Sequence, residues 1–124
     1  MKIIEAINEV DSLKPNTYSR NQKIVWLSRV DSMVKKQIID THKSAEVVSF
    51  DGYTADTPTD TVLLVPAPWD EIYLRWLEAQ IDYHNGEYDK YNNAIIVFNT
   101  AFEDYQKHYN DMHNPVQRGK RFLF

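Results

Sequence analysis

Apolar residues recur every three or four positions along most of the chain, which is the spacing of amphipathic helices. The first such stripe predicts a short helix over about residues 2–12, and a Lys-Pro-Asn sequence ends it. Ser19 and Gln22 then form a capping-box pattern in front of a longer apolar stripe. We therefore expect a second helix over about residues 19–41.

The same spacing returns after a Pro-Ala-Pro sequence. Asp70 stands where a carboxylate complements the positive end of a helix dipole, and the apolar positions predict a third helix over about residues 69–85. Many helices end at a residue in the left-handed conformation, which glycine adopts readily, and Gly86 is placed to end the third helix in this way. A fourth helix is predicted over about residues 87–110. Because the turn between them is so short, the third and fourth helices are expected to be antiparallel neighbours.

The pattern changes between the second and third helices. Residues 46–65 have β-branched and aromatic residues at both ends, with Asp-Gly and Pro in the middle. This segment predicts a short two-stranded β-hairpin or a long loop. The expected fold class is mainly α, a small bundle of about four helices, with residues 1–111 as a single domain and residues 112–124 as an extended C-terminal arm.

The third helix is apolar on almost every side apart from one charged stripe. A helix of this kind must be covered on several sides. Either it is the central helix of the bundle or one of its sides packs against another subunit, and the two interpretations are compatible. Aromatic residues are enriched in protein interfaces. The candidate residues for a subunit or partner interface are Trp69, Tyr73, Trp76, Leu77 and Tyr83.

The charged stripe of the third helix consists of Glu71, Arg75, Glu78 and Asp82. Carboxylates grouped in this way can hold Mg²⁺ or act as an acid and a base, which would suit a small carboxylate-dependent metal hydrolase. Arg75, however, lies four residues after Glu71 and three before Glu78, which is the ordinary spacing of ion pairs on a helix surface. We therefore favour a solvated, ion-paired face.

The composition limits the chemistry further. The sequence has no cysteine and three glycines, which excludes thiolate catalysis, cysteine-ligated metals and a glycine-rich phosphate loop. Its four histidines are not spaced as a shared ligand set, and no nucleophile motif is present. The longest apolar runs are far shorter than the ~20 residues of a membrane-spanning helix. We therefore expect no catalytic residue, no cofactor, no metal site and no membrane partner, and the protein is predicted not to be an enzyme.

Charge is distributed unevenly along the sequence, although the net charge is −4. Residues 1–45 carry eight Lys or Arg and five Asp or Glu, whereas residues 46–104 carry two basic and twelve acidic residues. Residues 105–124 are basic again. An acidic centre does not favour a tight grip on a phosphate backbone, so DNA is not expected to be bound tightly there.

The C-terminal arm combines positive charge with an apolar end. Its last seven residues include Arg118, Lys120, Arg121, Phe122, Leu123 and Phe124. Such an end is either a solvated, disordered tail or a docking segment, because three large apolar residues are costly to leave in water.

Three stretches of the sequence can be compared with known families. They are YSRNQKIVWLSRVDSMVKKQIIDTH, the acidic SFDGY, and LLVPAPWDEIYLRWLEAQIDYHNGEYDKYNNAIIVFNTAFEDYQKHYN. The most specific part is the block from VPAPWDEIY to GEYDKYNN with the F-N-x-A-[FY] pattern after it. With these stretches, which cover nearly the whole chain, the protein resembles the head–tail connector (adaptor) proteins of long-tailed bacteriophages and of prophages of Gram-positive bacteria. The shared stretches contain no chemical motif, so no active site is carried over.

The resemblance implies a small, mostly helical structural protein that assembles as a ring beneath the portal ring of the DNA-filled head and extends the DNA channel towards the tail. Its partners would be further copies of itself, the portal protein, a downstream neck, stopper or tail protein, and passing double-stranded DNA without sequence-specific binding. It would be located at the head–tail junction of the virion, and in the cytoplasm of the bacterial host during assembly. Another neck component, a stopper or tail-completion protein, is the alternative within the same particle.

Two parts of this chain acquire roles from the resemblance. The C-terminal segment of such adaptors is described as reaching towards the portal, which gives the segment 118–124 a docking role. An acidic lining of the channel would let DNA slide past, because like charges repel the phosphates. As a hypothesis, we place Asp51, Asp56 and Asp60 near that channel.

Overall fold

Four helices form the protein in the computed structural model, which describes residues 1–42 and 48–113. The helices are α1 (Ile3–Leu13), α2 (Arg20–Gln37), α3 (Ile72–His84) and α4 (Tyr88–His113), with 3₁₀ turns at Ile39–Thr41 and Trp69–Glu71. The predicted mainly α class and the bundle of four helices are confirmed. In the described ranges, no helix combines the length and the apolar character needed to cross a membrane.

Two predicted helix ends are confirmed by their hydrogen bonds. Ser19 caps α2, because its side chain accepts a hydrogen bond from the backbone N–H of Gln22 at 3.1 Å. Gly86 follows α3 with a φ of 75°. The N–H of Gly86 donates to the carbonyl of Tyr83, and the next N–H donates to the carbonyl of Asp82, which are the paired bonds of a Schellman motif. This tight turn brings α4 back along α3.

α3 is the central helix of the bundle. It packs against α1, α2 and α4, and its residues Ile72, Tyr73, Leu77 and Ile81 have no exposed surface. Burial of side chains of this size stabilises the folded chain by roughly 1.5–3 kcal/mol each. Of the two interpretations of its apolar surface, that of a central helix is therefore confirmed. The other helices contribute residues to the same core. These include Ile3, Val10, Trp26, Leu27, Val30, Phe98 and Phe102.

The described segment between α2 and α3 is a long loop. Residues 48–68 contain no strand, and the one isolated β-bridge of the described ranges pairs Lys2 with Val62. The predicted β-hairpin is therefore not formed there, and its residues 46 and 47 lie outside the described residues. The reason is that backbone groups of the loop bind the helices: the carbonyls of Thr59 and Thr61 accept from the first N–H groups of α1 at 2.9 and 3.0 Å.

The fourth helix is longer than the sequence predicts. α4 continues through Met112 and His113, two residues past the predicted limit of the domain at residue 111. The rest of the C-terminal arm, including the docking segment 118–124, lies outside the described residues.

Candidate functional site

Two of the five predicted interface residues belong to the core of the single chain. Tyr73 and Leu77 have no exposed surface. The Tyr73 hydroxyl also accepts a hydrogen bond from the backbone N–H of Val65 at 2.7 Å. Because α1, α2 and α4 already cover α3, a second subunit cannot touch these residues without opening the bundle. Tyr73 and Leu77 are therefore core residues and not interface residues as predicted.

Trp76 is partly buried between α2 and α4. Its indole N–H donates to the carbonyl of Trp26 at 2.7 Å, and its ring centroid lies 5.0 Å from that of Phe98. Trp76 therefore joins the central helix to both neighbours, and only part of its surface remains for a partner.

Three tyrosines, two of them exposed, surround the turn between α3 and α4. Tyr83 is 49% exposed and Tyr88 is 60% exposed. The ring centroid of Tyr83 lies 5.8 Å from that of Tyr88 and 5.2 Å from that of Tyr91. We call these three residues the turn tyrosine cluster. Among the predicted interface residues, Tyr83 is the most accessible to a partner.

Trp69 lies at the opposite end of α3. Its backbone N–H donates to the carbonyl of Pro66 at 3.0 Å, which closes a turn just before the 3₁₀ turn in front of the helix. Its ring stacks on that of His108 in α4, with 4.8 Å between the centroids and 26° between the planes. A helix the length of α3 is about 20 Å long. Trp69 and Tyr83 therefore lie on two separate surfaces.

A groove runs beside Trp69 along the C-terminal half of α4. Its apolar part is a cavity of about 510 Å³. Burial raises the pKa of Tyr105 in its wall to about 12, so this hydroxyl is neutral at physiological pH. The lining of the apolar part includes Ile39, Leu64, Pro66, Tyr105, His108 and Met112.

A second, charged part continues the groove past His108, which lines both parts. The residues of the charged part include Trp69, Glu71, Asp104, Lys107 and Asp111. We call the two parts together the α4 groove. It places acidic side chains next to an apolar cavity on one side of the bundle.

The predicted channel residues Asp51, Asp56 and Asp60 are all exposed on the loop between α2 and α3. The loop is held against α2, because the backbone N–H of Tyr53 donates to the hydroxyl of Ser28 at 2.9 Å. Three carboxylates are thus presented to solvent from a backbone that is anchored on the bundle.

The sequence reasoning missed a buried carboxylate in α2. Asp31 has no exposed surface. Its side chain accepts hydrogen bonds from the hydroxyls of Tyr53 at 2.5 Å and Tyr73 at 2.6 Å, and from the backbone N–H of Leu64 at 3.1 Å. It therefore ties α2 to the loop and to the central helix. All three donors come from the protein itself, so the arrangement serves the fold.

The sequence did contain a signal for this carboxylate. Asp31 lies four residues after Leu27 and three before Val34, on the apolar stripe of α2. Burial raises the pKa of Asp31 above its ordinary value, although the hydrogen bonds that it accepts lower it. Burial and the nearby Asp31 carboxyl raise the pKa values of Tyr53 and Tyr73, so both hydroxyls remain protonated donors.

The charged stripe of α3 is only partly the solvated face that the sequence predicts. Arg75 does form the expected pairs, at 3.8 Å from Glu71 and 2.9 Å from Glu78. Asp82, in contrast, is 2% exposed and accepts a hydrogen bond from the ammonium group of Lys14 at 2.5 Å. The reason is that the chain leaving α1 packs over this end of α3, and a buried carboxylate requires a partner.

The structure brings together two histidines that are far apart in the sequence. The ring centroids of His42 and His113 lie 6.0 Å apart, and both rings contact Tyr109, at 4.9 and 3.9 Å. Across residues 1–42 and 48–113, no group of three or more His, Asp or Glu side chains is arranged to hold a metal ion.

Three comparisons, with protein-family models, with curated proteins and with solved structures, found no match to the chain. No family is therefore assigned to it.

Proposed function

We propose that the protein is a head–tail connector, a non-enzymatic adaptor that forms a ring between the portal of a DNA-filled phage head and the tail. The observation that carries this proposal is the sequence resemblance, which extends from YSRNQKIV to the KHYN sequence near the end of α4. Its most specific block covers α3, both ends of that helix and the start of α4. A mainly helical bundle is the fold that the resemblance implies.

Two separate surfaces of the chain support ring formation. Copies arranged in a ring meet head to tail, so each copy needs two different contact surfaces. The turn tyrosine cluster lies at one end of α3 and the α4 groove at the other. In the proposed ring, contacts between neighbouring copies use these two surfaces.

The remaining surfaces are assigned to the partners of the ring. The exposed Asp51, Asp56 and Asp60 face the DNA channel, where their charge keeps the passing duplex from binding. The segment 118–124 docks on the portal protein, and the opposite face of the ring meets a downstream neck, stopper or tail protein. The protein would then be located at the head–tail junction of the virion.

Native mass spectrometry of the full-length chain tests whether copies associate. We expect homo-oligomers whose fraction rises with concentration. The double variant Tyr83→Ser/Tyr88→Ser should lower that fraction several-fold, because exposed aromatic residues contribute much of the energy of interfaces. Asp89→Asn, at an exposed position of the same turn of α4, is the matched control and should leave it unchanged. A strict monomer that binds Mg²⁺ tightly would contradict the proposal and favour a carboxylate-dependent hydrolase.

The genes beside the one that encodes this chain provide an independent test. We expect portal, scaffold and major-capsid genes upstream and tail genes downstream. Neighbours that encode metabolic enzymes would contradict the proposed function.

A further inference from the structure

The α4 groove and the C-terminal arm have matching chemistry. The groove has an apolar cavity and, beside it, a charged part with three carboxylates and one lysine. The arm has three basic residues followed directly by Phe-Leu-Phe. We propose that the α4 groove binds the segment 118–124 of a second copy of this chain. The Phe-Leu-Phe end occupies the apolar part, and the basic residues lie over the carboxylates.

The apolar part has the size and the lining of a docking pocket. Its volume of about 510 Å³ lies within the range of about 300–1,000 Å³ that is typical of pockets for small ligands. Ile39, Leu64 and Met112 give it an apolar wall. Large apolar anchors in such a pocket supply most of the binding energy of an interface, and the polar rim supplies little.

The charged part gives the bound segment its direction. Asp104 is exposed, and it forms no ion pair among the residues that the structure describes. Glu71 lies 3.8 Å from Arg75, a long contact on an exposed surface, so it remains accessible to a second cation. Lys107 opposes these charges only in part. Complementary charge of this kind sets the orientation of a partner more than its affinity.

The positions of the two parts along α4 favour a second copy over the same chain. The two parts overlap between Tyr105 and Asp111, but the apolar part reaches the end of α4 at His113, whereas the charged part extends back to Ala101. An arm that folds back on its own helix meets the apolar part first, with its basic residues. An arm that arrives from a neighbour enters at the charged part and ends in the cavity, which matches its sequence.

The length of the arm allows this exchange. Eleven residues follow His113, and such a segment spans up to about 36 Å when extended. Exchange of arms requires two copies of the chain and no phage component, so it is tested separately from the proposed function. In the proposed ring the arm docks on the portal and the groove meets the neighbouring copy, so exchange of arms describes free copies before assembly.

The absence of cysteine allows a test by disulfide trapping. Full-length chain with Pro66→Cys, an exposed position in the apolar wall, is mixed with tagged full-length chain with Leu123→Cys and oxidised mildly. We expect a covalent heterodimer on a non-reducing gel. The matched control replaces Pro66→Cys with Asn93→Cys, an exposed position on α4 outside the groove, and should give several-fold less heterodimer. Equal yields from the two would overturn the proposal.

A chain that carries both Pro66→Cys and Leu123→Cys tests the choice of a second copy. Dilute protein should give disulfide-linked dimers and larger species. A monomer with an internal disulfide as the main product would overturn the proposal, because the arm would then occupy its own groove.

Charge reversal tests the orientation of the segment. Asp104→Lys in the Pro66→Cys chain, or Arg121→Glu in the Leu123→Cys chain, should each lower the heterodimer yield by about two- to fivefold, the effect of one exposed ion pair. Both changes together should restore the yield. Asp89→Lys, on α4 outside the groove, is the control and should leave it unchanged. Yields that are not restored by the combination would overturn the assigned orientation.

Discussion

Asp31 joins three parts of the bundle through its buried carboxylate. Its carboxylate accepts hydrogen bonds from two tyrosine hydroxyls and one backbone N–H, which come from α3 and from the loop. Removing it leaves three donors in the interior without an acceptor, and each costs about 1–3 kcal/mol. We expect Asp31→Ala to lower the free energy of unfolding by about 3–5 kcal/mol in urea titrations.

Matched variants separate this network from other effects of substitution. Tyr53→Phe removes one of the three donors and should cost about 1 kcal/mol. Asp40→Ala removes a half-exposed carboxylate that pairs with Lys35 on the surface, and should cost less than about 1 kcal/mol. An effect of Asp31→Ala no larger than that of Asp40→Ala would show that the buried network does not hold the loop.

The raised pKa of Asp31 has a consequence for stability against pH. The folded chain binds this proton more tightly than the unfolded chain, so protonation of Asp31 favours folding. Its contribution is complete below the ordinary pKa of 3.8 and is lost as the pH rises through the raised value. The free energy of unfolding of the parent minus that of Asp31→Asn should therefore decrease as the pH rises from 3.8. A difference that increases over this range would contradict the assignment.

Asp11 shows the opposite linkage in the same chain. Burial alone would raise its pKa, but hydrogen bonds from Lys23 and Asn16 lower it to below the ordinary value. Asp11 therefore contributes stability above pH 3.8 that is lost as the pH falls. The pH dependence of the parent's free energy of unfolding combines the effects of Asp31 and Asp11. The comparison with Asp31→Asn isolates the effect of Asp31.

The helices were predictable from the sequence because their signals are local. Ser19 and Gly86 mark helix ends through their own backbone geometry, and the predicted bounds agree with the structure to within a few residues. The sequence did not decide between a β-hairpin and a long loop for residues 46–65. The carbonyls of Thr59 and Thr61 bind α1, which is distant in sequence. No local pattern encodes a partner of that kind.

The candidate surfaces were predictable only in part, for the same reason. The apolar character of α3 shows that it must be covered, but which side the other helices cover is decided by packing. Tyr73 and Leu77 therefore proved to be core residues, while Tyr83 remains on the surface. Asp82 looked like a solvated residue until the structure placed Lys14 against it.

The contact between Lys14 and Asp82 links the end of α1 to α3. Lys14→Met leaves an almost fully buried carboxylate without its partner. Breaking a buried pair costs about 3–5 kcal/mol. We expect about 2–3 kcal/mol here, because the side chain of Lys14 is partly exposed and water screens the pair.

A double substitution checks the cause of that loss. Lys14→Met with Asp82→Leu should recover more than half of it in the same urea titration, since no charge is then left unpaired. Lys36→Met on the exposed face of α2 should change the free energy of unfolding by less than about 0.5 kcal/mol. If the double variant were as unstable as Lys14→Met, packing and not charge would explain the effect.

At the scale of the whole molecule, the proposed ring assigns the exposed carboxylates of the loop to the DNA channel. Replacing Asp51, Asp56 and Asp60 together by Asn removes three negative charges from the loop. We expect the variant to bind double-stranded DNA several-fold more tightly at low salt, because repulsion of the phosphates is reduced. Filter binding or fluorescence anisotropy measures this, and assembled particles should release their DNA more slowly.

The control for the loop removes three exposed carboxylates elsewhere. Glu9→Gln, Asp89→Asn and Glu103→Gln change the net charge by the same amount from helices α1 and α4. An equal gain in DNA binding from both triple variants would contradict a particular role of the loop in the channel.

Electron microscopy of the purified chain, alone and mixed with portal rings encoded by the same genome, tests the central claim most directly. The proposed function predicts closed rings of identical copies, coaxial with the portal, with an axial opening wide enough for duplex DNA. Portal rings that carry no additional density, together with a chain that forms no ring at any concentration, would contradict it.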